Sequence, residues 1–199
     1  TILHNNINPE AVTLDYSTWE DTTFFDSAAP TIPYKHRVRI EDLEPATTYD
    51  YSVIQGDSTF RSVFRTAPES NIPIRFIVYA DSETEPESTG KFVNWPDPVS
   101  DSERVYLIDQ TLGYQNNLNV IRSRQPDLLI IAGDLVESGG EQRDWDEFWI
   151  HNTHSESEQN IAGMIPILPA LGNHEYYAGP YQGKYEQPGS ERAINKYLT

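Results

Sequence analysis

The stretch Asp127-Leu128-Leu129-Ile130-Ile131-Ala132-Gly133-Asp134 decides how the rest of this chain is read. Its apolar run, Leu128 to Ala132, predicts a strand buried on both faces, as in a parallel sheet covered by helices. Gly133 lets the chain turn sharply and leaves the Asp134 carboxylate at the strand's carboxyl edge, where open α/β sheets bind ligands. Two other runs have the same shape: Ile74 to Asp81, and Ile165 to Leu171 followed by Gly172-Asn173-His174-Glu175. Three apolar strands that each end in oxygen or nitrogen donors point to a metal site.

The totals narrow the field. A chain of 199 residues has room for one or two domains with a real core. With 14 basic and 31 acidic residues the net charge is −17, so binding of nucleic acid through a basic surface is excluded as an expectation. There is no cysteine, which removes disulfides, zinc fingers and thiol nucleophiles. No run of apolar residues is long enough to span a membrane, and neither a signal peptide nor an Asn-x-Ser/Thr acceptor is seen. The chain begins at Thr1 without a Met, which fits a processed or truncated start.

The first seventy residues read as β-structure. Glu10 to Tyr16 alternates, Val38 and Ile40 alternate with Arg37 and Arg39, and Tyr49, Tyr51 and Val53 share one face. Gln55-Gly56-Asp57-Ser58 predicts a turn into a return strand carrying Phe60, Ser62 and Phe64. Between the strands, Leu43-Glu44-Pro45-Ala46-Thr47-Thr48-Tyr49 resembles the corner of a fibronectin type III sandwich, where a Tyr hydroxyl bonds back to the backbone. About five strands are visible where a sandwich has roughly seven, so the domain looks incomplete at its start, with Ile2-Leu3 as a stub. Residues 66–73 form a polar, Pro-containing joint and set the expected boundary: an all-β domain over 1–70, an α/β domain over 71–199.

In the second part, residues 82–101 read as a long loop rich in turn residues. Ser100 and Glu103 have capping-box spacing and predict a helix start, with Val105, Ile108, Leu112, Tyr114, Leu118 and Ile121 on its buried face and Gly113 as a break. Gln142 to about Gln159 predicts a second helix anchored by Trp145, Phe148 and Trp149. His151 and His154 on it are close to metal-ligand spacing, but their polar neighbours read better as a solvated helix end. Tyr176, Tyr177, Tyr181 and Tyr185 are candidates to line a cleft, and a short helix is expected near Glu191 to Leu198.

Catalysis on phosphate esters commonly uses two metal ions about 4 Å apart, and bare divalent ions there repel by roughly 17 kcal/mol at a dielectric near 20. A bridging carboxylate offsets this, and Asp134, after a tight turn in a middle strand, suits that task. Asp81, Gly133-Asp134 and Gly172-Asn173-His174-Glu175 resemble the first three motifs of the calcineurin-like metallophosphoesterases. The preceding β-rich part makes the purple acid phosphatase branch the best resemblance.

The resemblance implies an α/β domain built as a β-sandwich flanked by helices, and two divalent or trivalent ions (Fe, Zn, Mn or Mg). Asp81 would hold one ion, Asp134 would bridge and Asn173 would hold the other. His174 would stabilise the transition state or protonate the leaving oxygen, with Glu175 behind it as an orienting partner. The implied reaction is in-line attack of metal-bound hydroxide on a phosphate monoester or diester, whether a small molecule or a phosphorylated substrate. An extracellular or periplasmic location is the matching expectation.

Two departures from the pattern matter. Where the branch has a Tyr whose phenolate binds Fe(III) and gives a purple colour, this chain has Glu137; Glu83 stands where the family has Gly or His. Both are candidates for additional oxygen ligands, and no tyrosinate colour is expected. The family's last two motifs supply histidines, yet the 25 residues after His174 contain none. The domain therefore reads as breaking off after the third motif, with the remainder of a longer polypeptide supplying the missing ligands. The alternative is a non-catalytic binding module or extracellular assembly module that keeps the phosphoesterase scaffold.

Overall fold

The computed structural model describes residues 10–13, 34–84, 108–153, 160–177 and 189–198 of the chain. In the N-terminal part, β1 (Glu10–Thr13) pairs antiparallel with β2 (Tyr34–Arg37), and β3 (Thr48–Gln55) pairs antiparallel with β4 (Ser58–Arg65). The β3–β4 register runs from Thr48 opposite Arg65 to Gln55 opposite Ser58, closed by Gly56 at φ 56°. Positive φ is inexpensive only for glycine, which is why the turn sits there. Tyr49 stacks on Phe64 with centroids 5.7 Å apart, and the Glu44 N–H donates to the Tyr49 hydroxyl at 2.9 Å, the contact that the corner motif predicts.

Among the described residues these strands form two separate two-stranded sheets, and the strand expected around Val38 and Ile40 ends earlier, at Arg37. The hairpin β3–β4 packs on the later chain through polar contacts. Tyr51 and Ser62 hydroxyls both donate to the Gly163 carbonyl, at 2.8 and 3.1 Å, and Asn160 Nδ2 donates to Ser62.

The organising element is a parallel sheet in the order β5 (Phe76–Tyr79), β6 (Leu128–Ile131), β7 (Ile167–Pro169). Tyr79 lies opposite Ile131 and Ile131 opposite Pro169, so all three strands end at one level. Asp127 aligns the start of β6: its N–H donates to Arg75 O at 2.7 Å and its carboxylate accepts the Arg75 N–H at 2.9 Å.

Helix α1 (Gln110–Ser123) and helix α2 (Gln142–Thr153) form the crossovers. Tyr114, Leu118 and Ile121 of α1 pack with Leu129, while Trp145 and Phe148 of α2 pack with Ile131, Leu135 and Val136. Both clusters touch Tyr79 and Ile167, so both helices cover the same face of the sheet. Leu129 and Ile131 are 0% exposed, and burying each contributes about 1.5–3 kcal/mol. Helix α3 (Gly189–Leu198) adds Tyr197 to the second cluster.

Several expectations need correction. The central strand is fully buried on one face only among the described residues: on the other face its Leu128 and Ile130 are half-buried, and Phe76, Val78 and Leu168 of the flanking strands are each more than half exposed. The three-stranded sheet is correspondingly smaller than a β-sandwich. The first helix is capped by Asp109, whose Oδ1 accepts the Leu112 N–H at 2.8 Å. The Ser100–Glu103 start lies outside the described residues. Gly113 does not break α1, because an interior glycine costs only about 1 kcal/mol and the buried stripe of Tyr114, Leu118 and Ile121 holds the helix. Trp149 is exposed, since Trp145, Phe148 and Asn152 carry the inward stripe of α2.

Candidate metal centre

The common carboxyl end of β5, β6 and β7 gathers the candidate residues. Asp81 and Asp134 follow their strands in left-handed backbone, at φ 54° and 51°, and Gly133 between β6 and Asp134 has φ 97°. Non-glycine residues seldom sit there, and Asp tolerates it better than most; such strain concentrates at functional sites. The two tips are tied by main-chain bonds: Asp81 N–H to Gly133 O at 3.3 Å, and Ser82 N–H to Asp134 O at 2.9 Å.

The third tip is fitted against the second. A Cβ at Gly133 would stand 2.7 Å from Gly172 Cα, and one at Gly172 would stand 2.2 Å from Asp134 Oδ1. Both positions need glycine because the two chains touch through backbone. His174 opens a single 3₁₀ turn, His174–Tyr176, and its N–H donates to Asp134 Oδ1 at 2.9 Å.

Glu175 is 0% exposed, and its place differs from the expected one. Its carboxylate accepts the N–H groups of Gly172 at 2.6 Å, Leu135 at 2.7 Å and Asp134 at 3.0 Å. It therefore clamps the β6 and β7 tips together instead of orienting the His174 ring. The imidazole is oriented by Glu137: Nδ1 lies 2.8 Å from the Glu137 carbonyl and 3.5 Å from its carboxylate. A carbonyl can only accept, so Nδ1 carries the proton and Nε2 is the nitrogen left available.

Glu83, Glu137 and His174 each offer a donor atom within 4.8 Å of the others. Asp81 and Asp134 lie outside this tight group, at the adjoining strand tips. Two charged carboxylates within 4.8 Å of each other repel by at least about 3.5 kcal/mol at an effective dielectric of 20. Burial pushes the Glu83 carboxyl up to about 7; its own backbone hydrogen bond and His174 oppose this, while Asp134 and Asp81 add to it. Its Oε2 is buried without a hydrogen-bond partner. A half-buried, oxygen-rich cluster with an unsatisfied carboxylate oxygen fits a divalent cation.

Asn173 is exposed, and its Nδ2 donates to the Tyr177 hydroxyl at 2.8 Å, which turns its Oδ1 away from that contact. Tyr177 also packs its ring 4.6 Å from that of His174. The sequence marked Tyr177 as one of several cleft candidates without this role; its spacing of four residues from Asn173 across a tight turn was the available signal. Tyr181 and Tyr185 lie outside the described residues.

The other histidine candidate is structural. His151 is buried, with Nε2 2.9 Å from Glu147, Nδ1 3.5 Å from Gln115 Nε2 and its ring edge-on to Tyr114. It sits in the helix layer, and His154 lies outside the described residues.

Comparison with known proteins bears on the family and the fold. The calcineurin-like phosphoesterase family profile matches residues 99–198, half of the chain. Two uncharacterized Mycobacterium tuberculosis proteins, Rv2577 of strain H37Rv and MT2654 of strain CDC 1551, are each 26% identical over 164 residues. The match takes in 80% of this chain, which spans 28% of their length. The solved structure of purple acid phosphatase PPD1 from yellow lupin (Lupinus luteus) seeds aligns with a TM-score of 0.55 at 19% identity. That alignment covers 98% of this chain and 33% of the lupin chain, and shows a shared fold. The chain belongs to the calcineurin-like phosphoesterase family.

Proposed function

We propose that this chain carries the first part of a dinuclear metal centre that hydrolyses phosphate monoesters or diesters. The observation that carries the reading is the convergence of Asp81, Gly133-Asp134 and Gly172-Asn173-His174 at one edge of a parallel sheet, with both aspartates in left-handed backbone. Asp81, Asp134 and Asn173 would hold the ions, with Asp134 shared between them. Bound there, the ions supply a nucleophile from water at neutral pH and neutralise charge on the phosphoryl oxygens.

The chain's own groups do the rest. Asp134 is held by its N–H on Glu175 and by the His174 N–H on its Oδ1, which fixes the carboxylate before substrate arrives. His174, in its doubly protonated form with the Nδ1–H held by the Glu137 carbonyl, gives its Nε2 proton to the leaving oxygen and is left as the neutral Nδ1–H imidazole. Asn173 is aimed by Tyr177. Further histidine ligands come from the rest of a longer polypeptide, in line with the 28% of the relatives' length spanned here. The N-terminal strands belong to a fibronectin type III-like domain over residues 1–70, and the protein works outside the cytoplasm, in an extracellular or periplasmic setting.

A chromogenic phosphate ester tests the proposal. Chelator-stripped protein should be inactive and recover activity with added metal, while Asp134→Asn and His174→Ala remain inactive under the same conditions. Equal hydrolysis by wild type and both variants, or none by wild type with any metal, refutes it and leaves a non-catalytic module as the better account.

A further inference from the structure

Glu83 and Glu137 come from different loops, after β5 and after β6, yet meet beside His174. We propose that these two glutamates are direct oxygen ligands of a cation at this edge, and that the site takes a hard divalent ion of the Mn²⁺ or Mg²⁺ class. This rests on the dinuclear phosphoesterase reading and names which ion its first-strand side selects.

Three observations carry it. The donor atoms of Glu83, Glu137 and His174 lie within 4.8 Å of one another. Donors on one ion with bonds of about 2.1–2.2 Å stand at most about 4.4 Å apart, so a side-chain closure of no more than about half an ångström completes the contact. Second, Glu83 Oε2 is buried with no hydrogen-bond donor, and a cation supplies the missing partner. Surface carboxylates that merely repel would turn outward to water; this one is turned in.

Third, the donors that the described residues of this chain bring to the edge are nearly all oxygen. Asp81, Glu83, Asp134, Glu137 and the Asn173 amide oxygen contribute oxygens, while His174 Nδ1 is taken by the Glu137 carbonyl. Carboxylate and carbonyl donors suit Mg²⁺, Ca²⁺ and Mn²⁺, whereas zinc sites lean on nitrogen and sulfur. Glu137 replaces a phenolate and Glu83 adds a further negative charge, so the ion is held by charge and hard oxygen instead of tyrosinate.

The test is a Mn²⁺ titration of the chelator-stripped full chain, read by the paramagnetic resonance signal of free Mn²⁺ and independently by calorimetry, with far-ultraviolet circular dichroism to verify the fold. Glu83→Gln and Glu137→Gln, which keep shape and remove charge, should each weaken Mn²⁺ binding about ten-fold or more, the scale seen when groups supporting a metal are lost. Glu83→Asp, with charge kept and reach shortened, should fall between wild type and Glu83→Gln. Asp134→Asn should abolish binding and exposed Glu69→Gln should leave it unchanged. Wild-type affinity in both glutamine variants alongside loss in Asp134→Asn overturns the inference and leaves the dinuclear reading standing. So does a wild-type chain that binds Zn²⁺ but not Mn²⁺ or Mg²⁺. A chain that binds none of these ions overturns both.

Discussion

Glu175 offers a sharp test of how the site is held together. Its carboxylate is fully buried and takes three backbone N–H groups, from Gly172, Leu135 and Asp134, at 2.6, 2.7 and 3.0 Å. Substitution by Gln keeps the shape but leaves one oxygen and places an amide NH₂ against an N–H donor. If the amide oxygen takes the place of Oε2, the Asp134 and Gly172 bonds survive as neutral ones, each weaker by about 1 kcal/mol, and the Leu135 N–H loses its acceptor at about 1–3 kcal/mol. Together this amounts to about 4 kcal/mol, a large part of the 5–15 kcal/mol that stabilises a typical protein. A chain of this size should lose roughly 8–16 °C in Tm. Urea unfolding followed by tryptophan fluorescence reads it, because Trp145 is buried against Phe148 beside this turn. A Glu175→Gln variant within about 1 kcal/mol of wild type would refute the clamp. So would hydrolysis lost with stability intact, which is what an orienting partner of His174 would show.

Gly172→Ala should displace Asp134, because the added Cβ would stand 2.2 Å from its Oδ1 and 2.5 Å from its nitrogen; an overpacking cost of about 1–3 kcal/mol and loss of bound metal, by unfolding and elemental analysis, are expected. Wild-type protein loaded with Fe(III) should show no tyrosinate band in the visible spectrum, whereas Glu137→Tyr should gain one. High pH should weaken the fold: burial raises the pKa of Tyr114, and of Tyr79, above the ordinary 10.0, so the folded state resists their ionisation. The unfolded chain releases those protons at lower pH, so stability should fall as pH rises above 10, and tyrosinate absorbance should jump at unfolding instead of rising smoothly.

Much of the site's address could be read from residue order. An apolar run ending in Gly-Asp, with Asp81 and Asn173-His174 at the ends of two similar runs, is a local pattern, and parallel strands whose ends are in register bring such ends together. Helix α1 was legible in the spacing of Tyr114, Leu118 and Ile121 for the same reason. The role of Glu175 was not, because it depends on which backbone N–H groups two distant tips turn inward, and a positive φ at Asp134 helps set that direction. Nor could spacing reveal that Glu83 and Glu137, on separate loops, close on His174. His151 shows the converse: a histidine pair at suggestive spacing became a core residue once Glu147 and Tyr114 packed around it.

Elemental analysis of the purified, intact protein tests the central claim most directly. Two metal ions per chain are expected in wild type, falling to fewer than one in Asp134→Asn with the fold preserved, because a bridge serves both ions. A wild-type protein that holds no metal, or an Asp134→Asn variant that holds as much as wild type, would contradict a two-ion centre built on Asp134.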